Sequence, residues 1–233
     1  MKQINIDVIG EIRSPFRQKF GIPRQPGLVR AAKGWVELRP PYDRPALCDG
    51  LEGFSHIWLT FVFHAAIRSG WRPRVRPPRL GGNRACGVFA TRSPFRPNHL
   101  GLSVVELLRV ETRGGVRLEV AGLDLLDGTP VVDIRPYLPY ADAIPGAHGG
   151  FADQAPAARL QVRFVPRVRD QLRSHPDGEG LAELIRDTLA LDPRPAYHER
   201  GQTPRVYGLR LDDLDVRFRV ADGVADVLEL VPQ

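Results

Sequence analysis

The segment from Gly87 to Gly101, GVFATRSPFRPNHLG, gathers side chains suited to holding an anion and reading polar groups. Arg92, Arg96 and Asn98 are set among Pro94, Pro97 and Gly101. Neither a helix interior nor a continuing strand accommodates that pattern, so it describes a stiff loop that presents fixed polar groups. No acid occurs from Gly53 to Val105, whereas eight arginines do: Arg68, Arg72, Arg74, Arg76, Arg79, Arg84, Arg92 and Arg96. Their field is not cancelled by sequence neighbours, and the segment is expected to receive something negative.

Other short polar groupings fall in stiff loops or at strand ends. Pro23-Arg24-Gln25-Pro26-Gly27 frames a guanidinium and an amide with prolines, and is equally well read as a simple turn. His64 closes an apolar run, where a lone histidine is more often a hydrogen-bonded strand end than a ligand. Asp124 and Asp127 flank Leu125 and Leu126, and Asp127-Gly128 suits the apex of a β-turn. The basic stretch from Trp71 to Arg84 reads on its own as a solvated surface excursion.

Absences narrow the chemistry. There is no strand-linked GxGxxG, no GxxxxGK[ST] and no GxSxG, which argues against Rossmann, P-loop and hydrolase-elbow sites. Cys48 and Cys86 are the only cysteines and no CxxC or HxxxH spacing exists, so no metal is expected. Two thiols also fit a reducing cytoplasm. The amino terminus is not that of a signal peptide, and no apolar run approaches the roughly 18 residues of a membrane span. A net charge of +6 favours polyanionic partners, nucleic acid first. The weight of that charge is lessened because all the basic residues except Lys2, Lys19 and Lys33 are arginine, in a Pro-, Gly- and Ala-rich composition.

These groups need a frame. Alternation predicts strands at Ile4 to Ile12, Gly34 to Leu38, Leu102 to Thr112, Val116 to Val120 after Gly114-Gly115, and Val131 to Leu138. Phe54 to Phe63 is expected as a strand buried on both faces, and Cys86 to Thr91 as a further strand. Residues 139–158 lack periodicity and read as a linker. Beyond them, Leu160 to Val165, Val206 to Leu211, Val216 to Val220 and Val224 to Val231 suggest strands. Gly180 to Leu191 suggests a helix whose apolar face is Leu181, Leu184, Ile185, Thr188 and Leu189. The expectation is mainly β: a barrel over residues 1–158 and a small α+β domain over 159–233.

Six segments, in order, resemble the TsaA/TrmO family: SPFRQKFGIPRQPGLV, LEGFSHIWLTFVFH, GWRPRVRPPRLGGN, GVFATRSPFRPNHLG, GLDLLDGTPVVDIRPYLP and DPRPAY. The resemblance implies an S-adenosylmethionine-dependent tRNA methyltransferase acting on N6-threonylcarbamoyladenosine beside the anticodon. It also implies a single-sheeted β-barrel with a small added domain, assembled as a homodimer. By the same resemblance, cofactor contacts are expected at Pro23, Arg24, Gln25, His64, Ala65, Arg92, Leu102 and the run Asp124, Leu125, Leu126, Asp127. His99 departs from the family's usual proline, and a somewhat less stiff loop is expected from it.

Chemistry adds roles to those positions. Arg92 suits the methionyl carboxylate, and Leu102 with Leu126 an apolar slot for adenine. The acceptor is a ureido nitrogen that must lose a proton, for which Asp124, Asp127 and His64 are the candidates. Asp124 is preferred as the functional acid and Asp127 as the turn former. Arg96 and Asn98 are expected toward the RNA. Arg217 and Arg219 alternate along one strand face and are expected toward the anticodon stem. A non-catalytic RNA-binding protein, and a methyltransferase of the same fold with another substrate, are the alternatives.

Overall fold

A computed structural model describes residues 3–194 and 205–233. The chain gathers into two compact units. One comprises Met1–Arg13, Gly34–Ala121 and Gly128–Gln154, the other Ser14–Lys33, Gly122–Asp127 and Ala155–Gln233.

The first unit holds a closed six-stranded barrel of β1 (Gly10–Arg13), β2 (Gly34–Leu38), β3 (His56–Val62), β6 (Leu100–Glu111), β7 (Arg117–Ala121) and β8 (Pro130–Pro136). The connection between β3 and β6 carries a small hairpin of β4 (Arg74–Val75) and β5 (Cys86–Gly87). The barrel order is β1-β2-β7-β6-β3-β8, and every neighbouring pair is antiparallel. Alternation sends Ile12, Val36, Ile57, Leu59, Phe61, Val105, Leu118, Val120 and Val131 inward, each at most 2% exposed.

Strand directions decide where the polar loops go. Because β1, β3 and β7 run one way and β2, β6 and β8 the other, the β1–β2, β3–β6 and β7–β8 connections all leave the barrel at one rim. The β3–β6 connection bears residues 63–99. The short hairpin from β6 to β7, turning at Gly114 and Gly115, closes the opposite rim.

Several expectations are corrected. The first strand starts only at Gly10, because the backbone bonds to its neighbours begin at Ile9, which donates to Val131 O and accepts from the Arg39 amide, both at 2.9 Å. β3 is buried on one face, not two: His56, Trp58, Thr60 and Val62 point outward although three of them are apolar or neutral. Cys86 to Thr91 is two residues of strand followed by a 3-10 turn over Val88–Ala90.

After β8 comes one short helix, α1 (Pro139–Asp142). The Asp142 carboxylate accepts from the Leu138 amide at 2.8 Å and from Trp58 Nε1 at 3.0 Å. The Leu138 amide first, then the indole, hold its pKa below the ordinary value. A depressed carboxylate stabilises the fold above the unfolded pKa, near 3.9, and that contribution disappears as pH falls through the lowered folded value. Denaturant titrations between pH 2 and 5 are expected to show this acid-side loss in the parent and a flatter profile in Asp142→Ala.

The second unit contains a four-stranded sheet ordered β10 (Val206–Leu211), β11 (Leu214–Ala221), β12 (Val224–Pro232), β9 (Gln161–Phe164), the last pair parallel. β11 and β12 join through Asp222 and Gly223, both at positive φ, the geometry of a tight hairpin turn. Helices α2 (Pro166–Arg173) and α3 (Gly178–Ala190) accompany the sheet. Asp177 caps α3 by accepting from the Gly180 amide at 3.1 Å. The expected face of α3 is the buried one, all five residues included. The α2 helix had not been expected; its Gln171 amide pairs with both backbone groups of Leu230 at 2.7 and 3.1 Å and so fastens it to β12.

Candidate functional site

The Val88–Leu100 loop is stitched to itself. The Thr91 hydroxyl donates to Val88 O at 2.8 Å and accepts from the Ser93 amide at 3.2 Å, and Ser93 Oγ accepts from the Phe95 amide at 3.3 Å. Arg96 sends Nη1 to Thr91 O at 2.7 Å and sets its guanidinium 5.8 Å from the Phe89 ring centroid. Arg96 therefore spends part of its donor capacity inside the loop, and the rest faces outward from a half-buried position. Arg92 and Asn98 are exposed.

His99 braces this loop where a looser one was expected. Its φ is 51°, a left-handed conformation that a proline ring, fixed near −65°, cannot adopt. Its Nδ1 lies 2.9 Å from Pro94 O, its amide donates to Arg96 O at 3.1 Å, and its carbonyl accepts from the Phe63 amide at 2.8 Å. A carbonyl only accepts, so in this contact Nδ1 is the donor. Just beyond, the bare Cα of Gly101 lies against the edge-to-face pair Phe61–Phe63, whose ring centroids are 5.0 Å apart.

The rest of the β3–β6 connection is more built than a solvated excursion. His64 is half-buried and opens a 3-10 segment to Ser69, with Ala65 exposed beside it. Arg74 pairs across β4–β5 with Gly87 and donates to Ala85 O at 3.1 Å, Arg72 lies 4.5 Å from the Phe95 ring centroid, and Arg79 donates to Gln154 O at 2.6 Å. Apart from Arg92, the arginines of the acid-free run (Arg68, Arg72, Arg74, Arg76, Arg79, Arg84 and Arg96) make no ion pair among the described residues. Elsewhere on the same unit Arg13, Arg39, Arg109, Arg117 and Arg135 are all paired with carboxylates. Arg44 and Arg113 likewise make no ion pair among the described residues, but the seven unpaired guanidinium groups on this connection are the largest such group on the unit.

Sequence reading had passed over two aromatic side chains here. Trp71, followed in sequence by Arg72, is 58% exposed, and Phe89, whose ring centroid lies 5.8 Å from the Arg96 guanidinium, is 78% exposed. Aromatic faces interleaved with arginines are the ingredients of base stacking beside phosphate. An aromatic residue set within a run of arginines was the signal available in the sequence.

In the second unit, the Pro23–Gln25 segment and the 122–127 turn lie together. Gly27 donates to Gly122 O at 2.9 Å, and a Cβ on Gly122 would sit 3.1 Å from the Gly27 backbone. Pro23 is buried, Gln25 half-buried and Arg24 exposed. Leu125 is 2% exposed and belongs to the core, so a ligand there would meet its backbone, whereas Asp124 and Leu126 are half-buried. Asp127 ties the turn down: Oδ1 accepts from the Ser14 amide at 3.0 Å, Oδ2 from Arg17, and its own amide donates to Phe16 O at 3.0 Å. Leu102, at the start of β6, is 52% exposed on the outer barrel face.

Arg217 and Arg219 are both exposed while their neighbours Val216 and Phe218 are buried, as the alternation required. Their charges differ in availability. Arg217 is drawn to Asp215 at 3.4 Å and Glu229 at 3.6 Å, whereas Arg219 makes no ion pair among the described residues. In the DPRPAY segment, Arg194 is bonded to Asp192 at 2.8 Å, and Pro195 to Tyr197 lie outside the described residues. No group of three metal-ligating side chains occurs among the described residues, and no described helix is long and apolar enough to cross a membrane.

Comparison with known proteins divides the chain in sequence order, unlike the compact units, which place Ser14–Lys33 and Gly122–Asp127 with the C-terminal residues. Residues 11–143 match the tRNA-methyltransferase O N-terminal domain, and residues 157–233 match the TrmO C-terminal domain. The chain is 49% identical to the tRNA (adenine(37)-N6)-methyltransferase of Escherichia coli K12 over the full length of both. A Methanothermobacter thermautotrophicus protein, named a probable S-adenosyl-L-methionine-binding protein, is 40% identical over 61% of this chain and 96% of its own. The crystal structure of TrmO from Pseudomonas aeruginosa superposes with a TM-score of 0.82 at 42% identity, covering 99% of each chain.

Proposed function

Because the chain belongs to the tRNA-methyltransferase O family, we propose that it moves a methyl group from S-adenosylmethionine to N6 of adenosine 37 in tRNA. It is an enzyme, with S-adenosylmethionine as its cofactor and tRNA as its substrate. The acceptor is the N6-threonylcarbamoyl form of that adenosine. The observation that carries the RNA reading is the group of arginines on the β3–β6 connection, Arg92 aside, that make no ion pair among the described residues, with Trp71 and Phe89 exposed among them. It offers phosphate contacts and stacking faces together, and binding should weaken steeply as salt rises.

Pro23, Arg24, Gln25, His64, Ala65, Arg92, Leu102 and Asp124 to Asp127 are assigned to the cofactor. Arg92 takes the methionyl carboxylate, and Leu126 with Leu102 lines the apolar part. Methyl transfer from a sulfonium is an in-line displacement, in which sulfur, methyl and nitrogen must align at about 3–3.5 Å. The residues named do the aligning. The ureido N6 must lose its proton; Asp124 is assigned as its acceptor and Asp127, whose carboxylate serves Ser14 and Arg17, as the turn former. His64 is the alternative acceptor. Arg96, Asn98, Arg219 and, with less free charge, Arg217 are assigned to the RNA. The protein acts in the cytoplasm as a homodimer, with the barrel and the C-terminal α+β part as its two domains.

Mass spectrometry of threonine-decoding tRNA from a deletion strain tests the function. The methylated threonylcarbamoyl nucleoside is expected to vanish, to return with the wild-type gene and to return poorly with Asp124→Asn. Its persistence in the deletion strain would refute the assignment.

A further inference from the structure

The segment that carries Pro23, Arg24 and Gln25 does not stand by itself. Within its unit it is laid along β10, the edge strand of the C-terminal sheet. Phe16 bridges to Leu211, the Asp212 amide donates to Pro15 O at 2.8 Å, and Gln18 Nε2 donates to Gly208 O at 3.4 Å. Phe16 is fully buried. Phe20 stacks on Phe218 with ring centroids 6.5 Å apart and planes 13° apart, and Phe218 in turn stacks on Tyr207 at 5.4 Å. At Gly21, with φ at 90°, a Cβ would lie 2.2 Å from Leu209 Cδ1, so backbone and strand side chain are in direct contact. Arg17 completes the fastening: it pairs with Asp127 of the 122–127 turn and reaches Asp212 of the β10–β11 hairpin at 3.9 Å.

We infer that the C-terminal sheet is the positioning element of the cofactor loop, with Phe20, Gly21, Leu209 and Phe218 as positioning residues for S-adenosylmethionine. Residues 22–27 are too short a span to drift once 15–21 are fixed along β10. A ligand-contacting loop held by buried contacts loses less conformational freedom on binding than one that must be ordered by its ligand. The C-terminal sheet thereby sets affinity for the small cofactor, in addition to any contact it makes with RNA. This inference rests on the assignment of Pro23 to Gln25 to the cofactor.

The test measures S-adenosylmethionine binding by calorimetry on the full chain, at a temperature where circular dichroism shows every variant folded. Phe20→Ala and Gly21→Ala are expected to raise the Kd about tenfold or more, mainly through lost preorganisation. Phe20→Tyr, which keeps the stacked ring, is expected to stay within about twofold. Leu184→Ala on α3 destabilises the same unit without touching the loop, and is also expected within about twofold of wild type. In turnover assays, KM for the cofactor should rise in Phe20→Ala with little change in kcat at saturation. Wild-type affinity in Phe20→Ala and Gly21→Ala, or an equal loss in Leu184→Ala, overturns the inference. A wild-type protein that does not bind S-adenosylmethionine would instead overturn the cofactor assignment and the inference with it.

Discussion

Gly101→Ala is expected to lower the stability of the barrel by about 1–3 kcal/mol, the range for overfilling a packed core. The added Cβ would lie 2.3 and 2.4 Å from Phe61 ring carbons and 2.9 Å from Phe63, none of which is a tolerable separation. Phe61 is 2% exposed and cannot swing away, and Phe63 is fixed by its edge-to-face contact with it. The backbone must shift instead, at the residue that joins the arginine loop to β6. At about 2–4 °C per kcal/mol for a chain of this size, calorimetry should show a melting point lower by roughly 2–12 °C. A second substitution tells the cause. Phe61→Leu costs stability by itself, but in the Gly101→Ala background it removes part of the clash, so the double variant should lose clearly less than the sum. Strict additivity would show that the Gly101–Phe61 approach is not what limits this position.

Asp127→Ala is expected to cost about 1–4 kcal/mol. The Ser14 amide loses its acceptor, and Ser14 is only 4% exposed, so about 1–3 kcal/mol follows from an orphaned buried donor. The ion pair with Arg17 adds at most about 1 kcal/mol, because the arginine side chain is 43% exposed. Asp127→Asn separates the two contributions. Its carbonyl oxygen can still accept from Ser14, so it should lose less than half as much as alanine. Chemical denaturation of both variants checks this, and equal losses would place the energy in the charge and not in the amide contact.

Legibility in the sequence followed how locally each feature is determined. Gly34–Leu38 and α3 were readable because their alternation or helical period is complete within one segment. Helix α2 was not, since Val168 and Leu172 alone supply its buried face and two residues make no period. The burial of β3 was misjudged because the outward face of this barrel is itself partly apolar, with Trp58 and Val62 on it. Residues 4–8 alternate like a strand but make no backbone bond to a neighbouring strand among the described residues, which no inspection of the segment alone reveals. For the site, residue types and family resemblance placed the loops. That Arg96 turns back on Thr91, that Leu125 is core and that residues 15–21 follow β10 are properties of tertiary packing, invisible to spacing.

The contact between Phe16 and Leu211 joins residues separated by most of the chain. During synthesis the barrel strands are complete once β8 has left the ribosome, so the barrel can close early. The segment between β1 and β2 cannot settle then, for its supporting strand has not been made. It waits, tethered at both ends to a finished barrel, until β10 to β12 emerge. Nascent chains arrested before β10 should therefore present a folded barrel with a protease-sensitive 14–33 segment. The 14–33 segment, made among the first, is thereby expected to reach its final form among the last.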